Sequence, residues 1–112
     1  NDVESISRIN CRDDILKAKR YIQENLSDPG LTIERVARHV NLSKNYFSYL
    51  FKKNTGQTFV EFLTGLRVEQ AARLYSTSKY KIYQIAEMVG YTDWRYFTKV
   101  FKKYMGRNLT KC

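Results

Sequence analysis

Eight polar side chains recur in two sets spaced i, i+3, i+4, i+7: Asn45, Ser48, Tyr49 and Lys52, then Arg95, Thr98, Lys99 and Lys102. Such spacing puts each set on one face of a helix. Amide, hydroxyl and guanidinium groups aligned in this way can read the edges of bases. Arg95 and Lys99 suit guanine O6 and N7, Asn45 suits adenine N6 and N7, and Ser48 and Thr98 reach several edges, the Thr98 methyl also meeting a thymine methyl. Tyr49 and Trp94 offer apolar or stacking contact. Lys44, Lys52, Lys53, Lys102 and Lys103 are better suited to phosphates, which position a protein on a duplex without reading its sequence. Two bland alternatives stand beside these roles: Arg95 and Lys99 meeting phosphates, and Trp94 packing on a neighbouring helix.

The elements that must position these groups form an internal repeat. Ser43–Gly56 (SKNYFSYLFKKNTG) returns as Thr92–Gly106 (TDWRYFTKVFKKYMG), each with Tyr-Phe, then Phe-Lys-Lys, then a stopping Gly. Shorter apolar-periodic segments, TIERVARHV and KIYQIAEMV, precede them. Ile33, Ala37 and Val40 match Ile82, Ala86 and Val89 at an offset of 49, whereas Tyr46, Phe47, Phe51 and Gly56 match Tyr96, Phe97, Phe101 and Gly106 at 50. The second turn is therefore one residue longer. A duplicated helix–turn–helix is expected, with reading helices over 43–54 and 92–104. Their buried stripes are Phe47, Leu50 and Phe51 in one, and Phe97, Val100, Phe101 and Tyr104 in the other. Thr32, Ser43 and Thr92 are the expected N-caps, and amides exposed beside them suit a phosphate.

The remaining chain reads as support. Residues 1–11 are polar and aperiodic, a linker or disordered lead-in. Ile15, Ala18, Ile22 and Leu26 mark a first helix over 13–26, stopped by Ser27-Asp28-Pro29-Gly30. Phe59, Phe62, Leu63, Leu66, Ala71, Leu74 and Tyr75 give a long helix near 58–77, about 30 Å at ~1.5 Å per residue, comparable to one turn of duplex DNA. Gly65 inside that helix points to a close backbone contact. No clear structure is expected over Arg107–Cys112. The organisation is thus a lead-in to residue 11, a first lobe over 12–56, a linker helix over 57–78 and a second lobe over 79–112. It is all-α, with about six to seven helices.

Charge agrees with an anionic partner. The chain of 112 residues carries a formal +9, with 43% hydrophobic residues including 9 Tyr and 6 Phe to build a core. The basic charge is concentrated in the repeats: residues 1–14 are net −2, whereas 92–112 hold six cations against Asp93 alone. Nucleic acid ranks first as partner and a membrane surface second; no apolar run approaches the ~18 residues of a span. Cys11 and Cys112 stand far apart with no CxxC and read as reduced thiols of a cytoplasmic protein. His39 is the single imidazole, with a packing or surface role. No catalytic motif, metal site or cofactor is expected. Asn1 is no natural initiator, so a longer parent chain is expected.

The same residues resemble a known family. Arg67-x-x-x-Ala71-x-x-Leu74, and the run Ile85-Ala-Glu-Met-Val-Gly-Tyr-Thr-Asp-Trp-Arg-Tyr-Phe97 with Phe101-Lys-Lys and Gly106, are similar to the DNA-binding domain of AraC/XylS-type transcription activators. The likeness covers about residues 12–106. It implies two helix–turn–helix lobes joined by a long helix, bound to successive major-groove segments of double-stranded DNA. Carried over by position, the base-facing places are Asn45, Ser48, Tyr49, Trp94, Arg95, Thr98 and Lys99. It also implies a bacterial nucleoid-associated regulator, with RNA polymerase as a further partner and a regulatory or dimerisation domain outside these residues. Beyond Gly106 the family's usual Thr-Pro and aromatic-Arg are replaced by Arg107-Asn108-Leu109-Thr110, so its last short helix is missing or altered. Two rivals remain at this point: a helical module docking an acidic protein partner such as a polymerase subunit, and a nonspecific basic DNA coater.

Overall fold

In a computed structural model, the backbone is described for residues 2–77 and 79–111, and side chains for 13–77 and 79–106. The elements are α1 (Asp2–Glu24), α2 (Ile33–His39), α3 (Lys44–Thr55), α4 (Phe59–Ser76), α5 (Ile82–Met88) and α6 (Trp94–Lys111), with no strand among the described residues. The expected all-α class holds, and the six helices among the described residues fall within the six to seven expected. The chain divides into two compact units, one comprising α1 and Gly30–Leu63, the other Leu26–Pro29 with Thr64 onward.

In the first unit, Ile15, Ala18 and Ile22 of α1 are buried, as are Val36, Ala37, Val40, Phe47, Leu50 and Phe51 from α2, its C-cap and α3. Phe51 packs 5.4 Å from Phe47 and meets Phe62 edge-on at 5.3 Å. The apolar stripes expected for α3 are thus the ones buried. Helix α1 begins at Asp2, whereas the lead-in to residue 11 is expected to be unstructured. Between Asp2 and Ser27 no Pro or Gly interrupts the backbone. The thiol of Cys11 falls outside the described side chains, and Cys112 outside the described residues.

In the second unit the core is Val68 and Ala71 from α4, Ile85, Ala86 and Val89, and Phe97 and Phe101 from α6. Two expectations fail here. Tyr75, counted with the apolar face of α4, is 55% exposed, with an edge-on contact to Phe101 at 5.6 Å. A Cβ at Gly65 would meet nothing within 4 Å, so no close backbone approach explains that glycine.

The repeat is visible bond by bond. In the first turn Leu42 N donates to Ala37 O at 2.9 Å and Asn41 N to Arg38 O at 3.1 Å; in the second Tyr91 N donates to Ala86 O at 2.9 Å and Gly90 N to Glu87 O at 3.2 Å. The residue that reverses the chain has positive φ in both, 59° at Asn41 and 96° at Gly90. One extra residue, Thr92, then separates the second turn from its helix.

Candidate nucleic-acid interface

Each of α3 and α6 has one apolar face anchored in its own core and leaves the opposite face to solvent. On α3, Asn45, Ser48, Tyr49 and Lys52 are all exposed, Tyr49 by 58%. On α6, Trp94 (44%), Arg95, Lys99 and Lys102 are exposed and Thr98 is half-buried. The structure therefore brings each sequence-selected set together on one face of its helix. Trp94 also lines a shallow groove with Tyr83, Glu87, Tyr91 and Pro29, so both of its expected roles have a physical basis. The Arg95 guanidinium lies 5.6 Å from the Trp94 ring centroid, a cation–π pairing that shields one face of the guanidinium and leaves its edge available. The Thr98 hydroxyl donates to Trp94 O at 2.7 Å, so its proton is spent within the helix and it presents a lone pair and a methyl.

Capping fixes where these faces start. Thr32 Oγ1 accepts from Arg35 N at 3.2 Å, and Ser43 Oγ accepts from Tyr46 N at 3.3 Å, as expected. Thr92 does not cap α6. Asp93 does, its Oδ1 accepting from Arg95 N at 3.1 Å and Tyr96 N at 3.3 Å. The offset of 50 places Asp93, not Thr92, opposite Ser43, and a carboxylate is the stronger acceptor at the positive end of the dipole. The same carboxylate makes that helix end a poorer phosphate seat than the hydroxyl of Ser43 does. At the far ends, Gly56 stops α3 in the left-handed conformation at φ 78°, whereas α6 continues past Gly106 to Lys111. With no Pro after Gly106, nothing in the backbone forbids another turn.

The lysines differ between the repeats in a way their spacing does not reveal. Lys44 Nζ pairs with Glu34 Oε1 at 3.2 Å, and Lys52 Nζ with Glu61 Oε1 at 3.8 Å. Lys53 Nζ lies 3.5 Å from the Tyr49 hydroxyl and over its ring. Lys99, Lys102 and Lys103 have no ion-pair partner among the described residues. Glu61 has a second duty: its Oε1 accepts from Thr58 N at 2.8 Å while Glu61 N donates to Thr58 Oγ1 at 3.1 Å, a reciprocal capping box at the start of α4. The Thr58-x-x-Glu61 spacing is a capping-box signature, whereas the reach of the carboxylate to Lys52 has none in the sequence.

A positioning residue behind α6 was also missed. Arg67 is 9% exposed, the only charged residue among the buried positions described. Its Nε donates to Leu26 O at 2.7 Å and its Nη2 to Asp28 O at 2.9 Å, and the guanidinium lies 5.3 Å from the Tyr91 ring centroid. Burial pulls the Arg67 guanidinium below its ordinary value, opposed by Tyr91 and Asp28, and burial pushes the Tyr91 hydroxyl above its ordinary 10.0. Gly90 completes the packing: a Cβ there would sit 2.8 Å from Leu26 O and 3.1 Å from the Arg67 guanidinium. Arg67, Leu26, Gly90 and Tyr91 together hold the turn that leads into Trp94 and Arg95.

No cluster of three or more His, Cys, Asp or Glu suited to a metal occurs among the described residues. His39 stacks on Tyr21 at 4.0 Å, a packing role. No described helix is long and apolar enough to cross a membrane.

Comparison with known proteins gives a consistent picture. A family model described as a helix-turn-helix domain matches residues 36–111. The raffinose operon transcriptional regulatory protein RafR of Pediococcus pentosaceus is 43% identical over 89 residues, 80% of this chain and 32% of that protein. The arabinose operon regulatory protein of Escherichia coli (strain K12) is 36% identical over 92 residues, 82% of this chain and 32% of that protein. The chain thus spans about a third of the length of these relatives. Among solved structures, the C-terminal domain of AraT, a response regulator from Geobacillus stearothermophilus, superposes with a TM-score of 0.80 at 41% identity, covering 83% of this chain and 77% of that one. The DNA-binding domain of AdpA, a global transcriptional factor solved with a target DNA, superposes at 0.76 with 25% identity, covering 82% of each chain.

Proposed function

The chain belongs to the AraC-type helix-turn-helix family, and on that premise we propose that it binds double-stranded DNA sequence-specifically and regulates transcription. The observation that carries this reading is the repeated arrangement of α3 and α6. In both, an aromatic stripe is locked in a core while a polar stripe of base-reading residue types stands in solvent. A helix entering the major groove needs both, one for rigidity and one for contact.

In this proposal the lobes over 12–56 and 79–112, joined by the helix within 57–78, place α3 and α6 in successive major grooves. Arg95 and Lys99 read guanines, Asn45 reads adenine, and Ser48 accepts or donates at either. Thr98 presents its methyl and a lone pair, and Tyr49 and Trp94 supply apolar contact. Lys53, Lys102 and Lys103, with Lys44, Lys52, Thr32, Ser43 and Thr92, face the phosphates. The protein acts in the cytoplasm at the nucleoid. RNA polymerase as a partner, and a regulatory or dimerisation domain in a longer chain, belong to the same proposal. The further domain is supported by relatives about three times the length matched here.

Arg95→Ala and Lys99→Ala test the reading residues. Each lowers affinity for a preferred duplex about tenfold or more, with thermal melting unchanged, because both side chains are exposed. Unchanged affinity in both variants would remove α6 from the groove.

A further inference from the structure

The two reading helices differ in what surrounds their cations. Glu34 lies in the first turn of α2, and Glu61 in the first turn of α4, yet both carboxylates reach lysines of α3. The Glu61 carboxylate is pinned beside Lys52 by its bond from Thr58 N at 2.8 Å. Backbone hydrogen bonds first, and the neighbouring lysines after them, hold both carboxyl groups below their ordinary 4.5, so both are charged at neutral pH. In the second repeat Tyr83 and Trp94 occupy the places of Glu34 and Lys44. Lys102 occupies the place of Lys52 and has no ion-pair partner among the described residues. The repeat conserves the reading stripe but not its electrostatic setting.

We infer that Glu34 and Glu61 are specificity-determining residues: by pairing with Lys44 and Lys52 they weaken the grip of α3 on phosphates and shift nonspecific attachment towards α6. The inference rests on the duplex-binding reading above. A lysine already beside a carboxylate displaces fewer counterions from a duplex, and a phosphate drawn to it also meets the acid. Sequence-independent affinity falls, while the hydrogen bonds of Asn45 and Ser48 to base edges are untouched. The ratio of specific to nonspecific binding at the first lobe rises accordingly. Exposed ion pairs of this kind are weak, so the device tunes attachment and does not block it.

The test uses the whole chain and a fluorescent random-sequence duplex, with binding followed by anisotropy across a salt series. Glu34→Gln and Glu61→Gln each tighten binding about two- to fivefold at low salt and steepen the dependence of log affinity on log salt. Gln at 61 retains an acceptor for Thr58 N, and melting curves check that the cap survives. Glu69→Gln removes the same charge from an exposed part of α4 and produces a smaller change. In a Lys44→Ala background Glu34→Gln has no effect, because the lysine through which it acts is gone. Unchanged affinity and slope in both single variants, or equal tightening with and without Lys44, would overturn the inference while leaving duplex binding intact. A parent chain that binds no duplex would overturn the reading beneath it as well.

Discussion

A Cβ at Gly90 would press on Leu26 O and on the Arg67 guanidinium, while the backbone there sits at φ 96°. Both effects act in Gly90→Ala, which lowers stability by about 2 kcal/mol or more. Gly65→Ala, in open space inside a helix, raises it by about 0.5–1 kcal/mol. Thermal or urea melts of the pair check both signs at once. The contrast shows what residue-level reading can reach. The periodicity of α3 and α6 selected the exposed faces because a solvent-facing stripe is written in spacing. Gly65 and Gly90 look alike in sequence because the neighbour that crowds one of them, Leu26, lies far away along the chain. Arg67 is the same case: it stands in a recognisable motif, but its role depends on carbonyls of residues 26 and 28. Glu34 and Glu61 likewise meet their lysines only after folding.

At the scale of the element, the start of α6 is the sharpest point. Asp93→Ala costs about 1 kcal/mol of stability, whereas Thr92→Ala leaves it nearly unchanged, since Asp93 accepts from two first-turn amides. Denaturant melts of the two variants distinguish the caps; equal losses would restore Thr92 to the role. The apolar positions carry the offset through the turn, but the inserted residue moves every cap and contact after it by one. Helix ends follow the same logic. Gly56 stops α3 because the backbone there turns left-handed, yet Gly106, in the matching place, is helical. A glycine permits a stop without imposing one, and the backbone beyond it decides. Helix α1 shows the reverse, extending to Asp2 through a polar stretch without a breaker.

For the whole molecule, two units each fold around an aromatic core, and each presents one polar helix face. The concentration of cations in the second repeat, and the pairing of two lysines in the first, leave the two units unequal in unpaired basic charge. Duplication, fold class and the exposed polar faces were legible because they rest on repeated spacing. The inequality was not, because it comes from acids on other helices. The central claim is that both faces read bases. Selection from a random duplex library at near-physiological salt, with sequencing of the bound pool, tests it directly. The account predicts two enriched blocks about one helical turn apart, with the block read by α6 disturbed by Arg95→Ala and the other left in place. Binding without any enriched block would contradict it, as would a failure to bind duplex DNA at all.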